Sequence, residues 1–239
     1  MFLKRAFLLL AVCLFFFTES KAQKNVTTVG IQYKPIFPVS FLGTGSETGI
    51  DRDVTFITGL KSGFSGGMTI RRGLSDLVGL ESGINYVKRK YNLEIVDGSN
   101  NIDRDFRIIG YEIPVSFLVY IRLGEFLYMN AAMGSGIDMF ASAVQVLDTN
   151  YNQVSFRNRV VQPAIHANLG WEWRTEKSGY IYLGFTYHRP FEFIYLNKTE
   201  YRRSTTDVYF NERKLNGSYL TLDLRYYFHE DPEVKKKKK

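Results

Sequence analysis

Two of the three histidines, His166 and His188, are the residues of this chain best placed to act as general bases. A base must lie within hydrogen-bond reach of its nucleophile or of the water it activates. Both histidines share a face with most of the charged side chains of their segments. Ser82 and Ser135 fall on the opposite face, where no histidine accompanies them. His229 belongs to the charged C-terminal tail. Metal-ligand spacing is absent: no two histidines lie three or four apart, and there is neither a His-Glu-x-x-His run nor a cysteine pair. Gly43-Thr44-Gly45-Ser46 lacks the lysine and following helix of a phosphate cradle. No catalytic residue, metal or cofactor is expected.

The chemistry that remains is ionic. Lys34, Arg71, Arg122, Arg174 and Arg225 share one face of their segments with Glu81, Glu112, Asp138, Glu172 and Asp223, five of each sign. Equal numbers point to a mutually paired interior, because an unpaired buried charge costs several kcal/mol.

The elements that must position these groups are strands. In 220–228, Leu220, Leu222, Leu224, Tyr226 and Phe228 share one face, and Thr221, Asp223, Arg225 and Tyr227 the other. The same period of two places Val161, Ile165, Leu169, Trp171 and Trp173 opposite Gln162, His166, Asn168, Glu172 and Arg174. Eight such segments are expected, near 26–36, 58–74, 77–96, 107–124, 126–146, 156–176, 180–196 and 214–228. Short connections at Ser75-Asp76, Gly124-Glu125 and 176–179 alternate with long polar ones near 37–57, 97–106, 147–155 and 197–213. An even strand number with short turns at one end and long loops at the other is the pattern of an outer-membrane barrel.

The faces decide between a membrane barrel and a soluble one, which share the same period. Nine glycines, Gly30, Gly67, Gly79, Gly83, Gly110, Gly134, Gly136, Gly170 and Gly184, fall on the polar face. A narrow eight-stranded lumen needs small residues beside a few large charged ones, whereas a solvated exterior does not. The apolar face is free of charge over the middle of most strands. Trp171, Trp173, Tyr226 and Phe228 gather at its turn end as an aromatic girdle would. The expected fold is therefore all-β: an eight-stranded antiparallel transmembrane β-barrel with short periplasmic turns and long extracellular loops.

Charge agrees. The formal +7 reduces to balance once Lys4, Arg5 and Lys21 of a leader and the lysine run 235–239 are set aside, leaving 23 basic residues against 23 acidic ones after removal of Glu19. The basic stripe that nucleic acid requires is missing. Residues 1–22 have the form of a secretory signal peptide: Lys4 and Arg5, an apolar run from Ala6 to Phe17, and Ser20-Lys21-Ala22 before the cut. Cys13 lies in that run, preceded by Val12 rather than a small residue, so lipidation is not expected and the mature chain has no thiol. The barrel is expected over 23–228 and a charged periplasmic tail over 229–239. Lys235 to Lys239 in that tail repel one another and are expected to be disordered, either meeting anionic lipid or an acidic periplasmic partner or standing as a plain solvated tail.

The leader end Lys21-Ala22-Gln23, the strand opening Tyr111-Glu112-Ile113-Pro114, the glycine-rich strand Gly79 to Tyr86 and the ending Arg225-Tyr226-Tyr227-Phe228 together resemble the small outer-membrane β-barrel proteins of Bacteroidetes, the porin-like group that includes PorT-like proteins. The resemblance covers the whole mature chain and implies location and fold. Its members include secretion-associated and adhesive proteins. A non-enzymatic structural, binding or secretion-accessory platform with a lumen plugged by side chains is expected; the alternative is a lipid-modifying barrel enzyme or a small-solute pore. Outer-membrane lipid and lipopolysaccharide are the expected partners, with an envelope or secretion protein as a further one. Continuing the outward face beyond Tyr86, Tyr111, Val161 and Tyr187 reaches Lys88, Lys90, Arg107, Arg157, Arg159 and Arg189. These cations form two clusters, which either meet the phosphates and carboxylates of lipopolysaccharide or are ordinary solvated strand ends.

Overall fold

A computed structural model of the chain describes residues 26–39, 43–75, 77–98, 100–175 and 178–229. The leader 1–22 and the lysine run 235–239 lie outside the described residues. The strands are β1 (Thr27–Phe37), β2 (Glu47–Asp51), β3 (Val54–Gly73), β4 (Val78–Asp97), β5 (Asn100–Arg122), β6 (Leu127–Phe140), β7 (Val144–Leu147), β8 (Tyr151–Arg157), β9 (Val161–Arg174), β10 (Tyr180–Pro190), β11 (Tyr195–Arg202), β12 (Val208–Leu215) and β13 (Tyr219–Tyr227).

Eight of them close into a ring in the order β1-β13-β10-β9-β6-β5-β4-β3, with β3 paired back onto β1. Every pairing is antiparallel. The all-β, eight-stranded barrel expected from the alternation is what the chain forms.

The long connections differ from expectation. Stretches 147–155 and 197–213 are largely hairpins, β7–β8 and β11–β12, and they join as a second sheet in the order β12-β11-β8-β7. The stretch 97–106 is no loop either: β4 and β5 stay paired up to Asp97 and Asn100 and turn at Gly98, whose φ of 57° suits a residue without a side chain. Stretches 147–155 and 197–213 look like loops in sequence because most of their outward residues are polar and their strands are short. Their inward residues, among them Tyr151, Tyr201 and Tyr209, are buried.

Two storeys result. β6, β9, β10 and β13 run in the order in which β7, β8, β11 and β12 continue them upward, each pair separated by a short break at 141–143, 158–160, 191–194 or 216–218. Backbone bonds hold the breaks together, such as Ile194 N–H to Leu215 O at 2.7 Å and Asn158 N–H to Ile194 O at 2.9 Å. β3, β4 and β5 pass through both storeys, β3 with a bulge between Leu60 and Ser62.

Polarity inverts between the storeys. On β4 the inward residues pass from Glu81 and Asn85 to Val87, Tyr91, Leu93 and Ile95. The outward ones pass from Leu80, Ile84 and Tyr86 to Lys88, Lys90, Asn92 and Glu94. Below the change the outside is apolar and the inside polar, as lipid around a hydrogen-bonded lumen requires. Above it the chain obeys the rule for water-bathed proteins, with an apolar core that includes Phe56, Tyr91, Phe106, Ile108, Phe140 and Tyr195. The reversal on one continuous strand fixes the outer membrane boundary between Tyr86 and Lys88. At the other end Trp173 is 58 % exposed and Tyr226 and Phe228 meet edge to face at 5.4 Å, in the position of the inner girdle.

Candidate functional site

The lower lumen is filled by buried ion pairs, the larger set of them centred on Glu81. Arg71 on β3 donates from Nε to Glu81 at 3.1 Å and also reaches Glu172, and Arg174 Nε donates to Glu172 at 2.6 Å. Arg225 on β13 bridges Glu81 and Asp223, both at 2.5 Å, and Lys34 Nζ lies 3.6 Å from Asp223. Tyr227 donates to Glu81 at 2.6 Å while its ring supports the Arg71 guanidinium at 3.9 Å. At the turn end Arg174 stacks over the Tyr128 ring at 3.8 Å. Each of these ions is thus paired with an opposite charge, and all but Lys34 are hydrogen-bonded as well, the condition under which buried charge is tolerated.

Nine of the ten network residues named from sequence meet in this lumen. Arg122 does not. Its parity is inward, but it is exposed at the end of β5, where the wall opens, and it donates to Gly124 O at 3.0 Å. The fifth interior cation is Arg89 instead, which donates to Glu112 at 2.9 Å and lies 3.8 Å from Asp138. The balance of five against five therefore survives with a different member. Alternation alone could have found Arg89, since it lies between the outward Lys88 and Lys90.

Both histidines are buried in the lumen. His188 Nε2 is 2.9 Å from Asp138 and its ring stacks on Tyr219 at 4.8 Å, and the Tyr219 hydroxyl donates to Glu112 at 2.6 Å. His166 Nε2 is 2.6 Å from Ser116 Oγ, an inward serine that the sequence reading passed over. Ser82 donates to Pro114 O at 2.9 Å. Glu112, Asp138 and His188 present ligand-type atoms within 4.8 Å of one another, but the Arg89 guanidinium already supplies positive charge there. The space left among these groups is about 30 Å³, enough for a few waters and far below the ~300–1,000 Å³ of small-ligand sites. Above it the lumen is capped by the apolar upper core.

Three of the cations, Lys88, Lys90 and Arg107, sit directly above an aromatic row. Tyr33, Phe64, Tyr86 and Tyr111 follow one another across β1, β3, β4 and β5 at centroid distances of 5.9, 6.0 and 5.9 Å. Lys88 Nζ is 6.0 Å from the Phe64 ring, and Arg107 lies opposite Lys90. Lys90 is engaged by Asp105 at 2.8 Å, and that hydrogen bond holds the Asp105 carboxyl down at about 2. Arg159 pairs with Glu192 at 3.1 Å, and Arg157 is not outward: the break at 158–160 puts it on β8 in step with the inward Gln153 and Ser155 and opposite Tyr195, and it donates to the Phe140 and Ala141 carbonyls. Of the six, Lys88, Arg107 and Arg189 have no hydrogen-bond or ion-pair partner among the described residues. The clusters are thus smaller than parity suggested, because Asp105 and Glu192 share their level on the wall.

No family model matches the sequence, and no curated protein matches it. Among solved structures the outer membrane protein OprG from Pseudomonas aeruginosa superposes over 89 % of this chain and 100 % of its own, with a TM-score of 0.54 at 10 % identity. The fold is that of an outer-membrane β-barrel. Two further barrels align more loosely. The outer membrane protease OmpT from Escherichia coli aligns at TM-score 0.39 and 11 % identity, over 89 % of this chain and 99 % of its own. The β domain of the Bordetella autotransporter BrkA aligns at TM-score 0.32 and 8 % identity, over 87 % and 100 %.

Proposed function

We propose that this barrel is a non-enzymatic platform of the bacterial outer membrane, exported by the leader 1–22, which closes its own lumen and presents the upper storey outside the cell. The observation that carries this reading is the closure: an ionic network with about 30 Å³ of free space below, and an apolar core above it. A solute would have to dissolve both. The Ser116 and His166 pair lines only the small lumen space of about 30 Å³, which supports a packing role for it. Outer-leaflet lipopolysaccharide surrounds the wall at the level of Lys88, Arg107 and Arg189, with its phosphates over the aromatic row. The resemblance to PorT-like barrels of Bacteroidetes favours an envelope or secretion protein as the partner of the upper storey.

Planar-bilayer recording together with crosslinking in the native membrane tests this. The purified protein should show no steady conductance, and a protein partner should be captured from outside the lumen. Reproducible open-channel steps that change with Glu112→Gln would overturn the platform reading in favour of a pore.

A further inference from the structure

The upper sheet has two faces, and only one of them is used by the core. Tyr195, Tyr201, Tyr209 and Leu215 point inward. The opposite face, formed by β8, β11 and β12, contains a hollow of about 450 Å³ between Asn152, Val154 and Phe156 on one side and Phe210 and Glu212 on the other, with Lys198 and Glu200 between them. That volume falls within the ~300–1,000 Å³ typical of small-ligand sites.

Two features define what fits. Phe210 is 64 % and Phe156 49 % exposed, although both lie above the boundary where Lys88 and Lys90 replace apolar residues, so neither ring has lipid to face. The charges of the face are spent on each other: Lys198 meets Glu212 at 3.0 Å and Arg202 meets Glu200 at 2.7 Å. The face is therefore rich in donors and acceptors but close to neutral, and it offers flat apolar rings beside them. That combination suits a neutral, hydroxyl-rich ligand whose C–H faces stack on rings. A phosphate or a highly charged peptide would have to break the pairs.

The position of the face names the source. β8, β11 and β12 continue the walls of β9, β10 and β13 upward, so their outward side chains stand beside the barrel, over the rim that holds Arg159 and Arg189. We propose that this hollow binds the neutral core sugars of the lipopolysaccharide standing next to the wall. The site rests on the reading of an outer-membrane protein ringed by lipopolysaccharide, and it assigns the sugar portion to residues distinct from the cations that meet the phosphates.

Two probes separate the two portions: dephosphorylated core oligosaccharide freed of lipid, and bisphosphorylated lipid A without core sugars. Calorimetric titration of the full-length protein in neutral detergent should detect the oligosaccharide. Combined Phe156→Ala and Phe210→Ala should weaken it at least about tenfold while leaving lipid A retention unchanged. Phe210→Tyr, which keeps the ring, should retain binding and controls for folding. Combined Lys88→Gln and Arg107→Gln should do the reverse, lowering lipid A retention only. No oligosaccharide binding at millimolar concentration, or equal binding by the parent and the double alanine variant, overturns the sugar site. Loss of neither ligand in the glutamine variant overturns the phosphate reading alone.

Discussion

Arg225 on the last strand of the barrel donates to Glu81 on β4 at 2.5 Å, across the lumen and not along the wall. β13 and β4 are separated in the ring by β1 and β3, so this bond braces the wall from inside. Glu81 receives Arg71 and Tyr227 as well. Its removal leaves two guanidinium groups short of a partner in a space without bulk water.

Glu81→Leu should accordingly destabilise the barrel by about 3–5 kcal/mol, the cost of stranding a buried charge. Urea unfolding in lipid vesicles, followed by Trp171 and Trp173 fluorescence, measures it. A loss below 1 kcal/mol would mean that water solvates the network.

Arg89 and Arg122 should separate cleanly. Arg89→Leu strands Glu112 and Asp138, so its cost should resemble that of Glu81→Leu. Arg122→Ala removes only an exposed bond to Gly124 O, and its effect should stay within about 0.5 kcal/mol. Equal costs in the same unfolding assay would refute the assignment of Arg89 to the interior.

Gly170 and Gly184 face each other across β9 and β10, and the fully buried Tyr182 lies over both while donating to Asn168 at 2.7 Å. A Cβ on Gly170 would meet the Tyr182 hydroxyl and the Leu183 carbonyl. Gly170→Ala should cost about 1–3 kcal/mol by overpacking, and the added Tyr182→Phe should recover part of that. No recovery in the double variant would place the strain in the backbone alone.

The extracellular tip should respond to acid. Arg203 on the β11–β12 turn pairs with Asp97 and also with Asp53 at 2.7 Å, tying three turns together. The hydrogen bond from Arg203 holds the Asp97 carboxyl below its ordinary value. A depressed folded-state pKa stabilises above the unfolded value, about 3.9 for Asp, and the contribution is lost as pH falls through the folded value. Amide protection at the tip, corrected for intrinsic exchange at each pH, should therefore drop as the pH falls below about 4 while β9 and β10 stay protected. Arg203→Ala should abolish the pH dependence. A tip that opens equally in both proteins would rule the clamp out.

Alternation carried the sequence reading far. Because a strand turns successive side chains to opposite faces, the parity of Glu81, Asp138, Glu172, Asp223 and Arg225 was enough to send them into one lumen. The glycines beside them told lumen from exterior. Parity has no height, however, and height decided the rest. Arg122 has the parity of an interior residue but lies where the wall ends, and Arg89 took its place because β4 carries it to the level of Glu112 and Asp138. The upper storey stayed hidden for the same reason. Tyr195, Tyr201 and Tyr209 alternate with polar residues as the lumen residues do, but with the opposite sense, since water replaces lipid above Lys88. Which side of a strand a residue occupies is local geometry and is written in the chain. Which solvent that side meets depends on where the closed ring sits in the membrane, and only the assembled structure determines it.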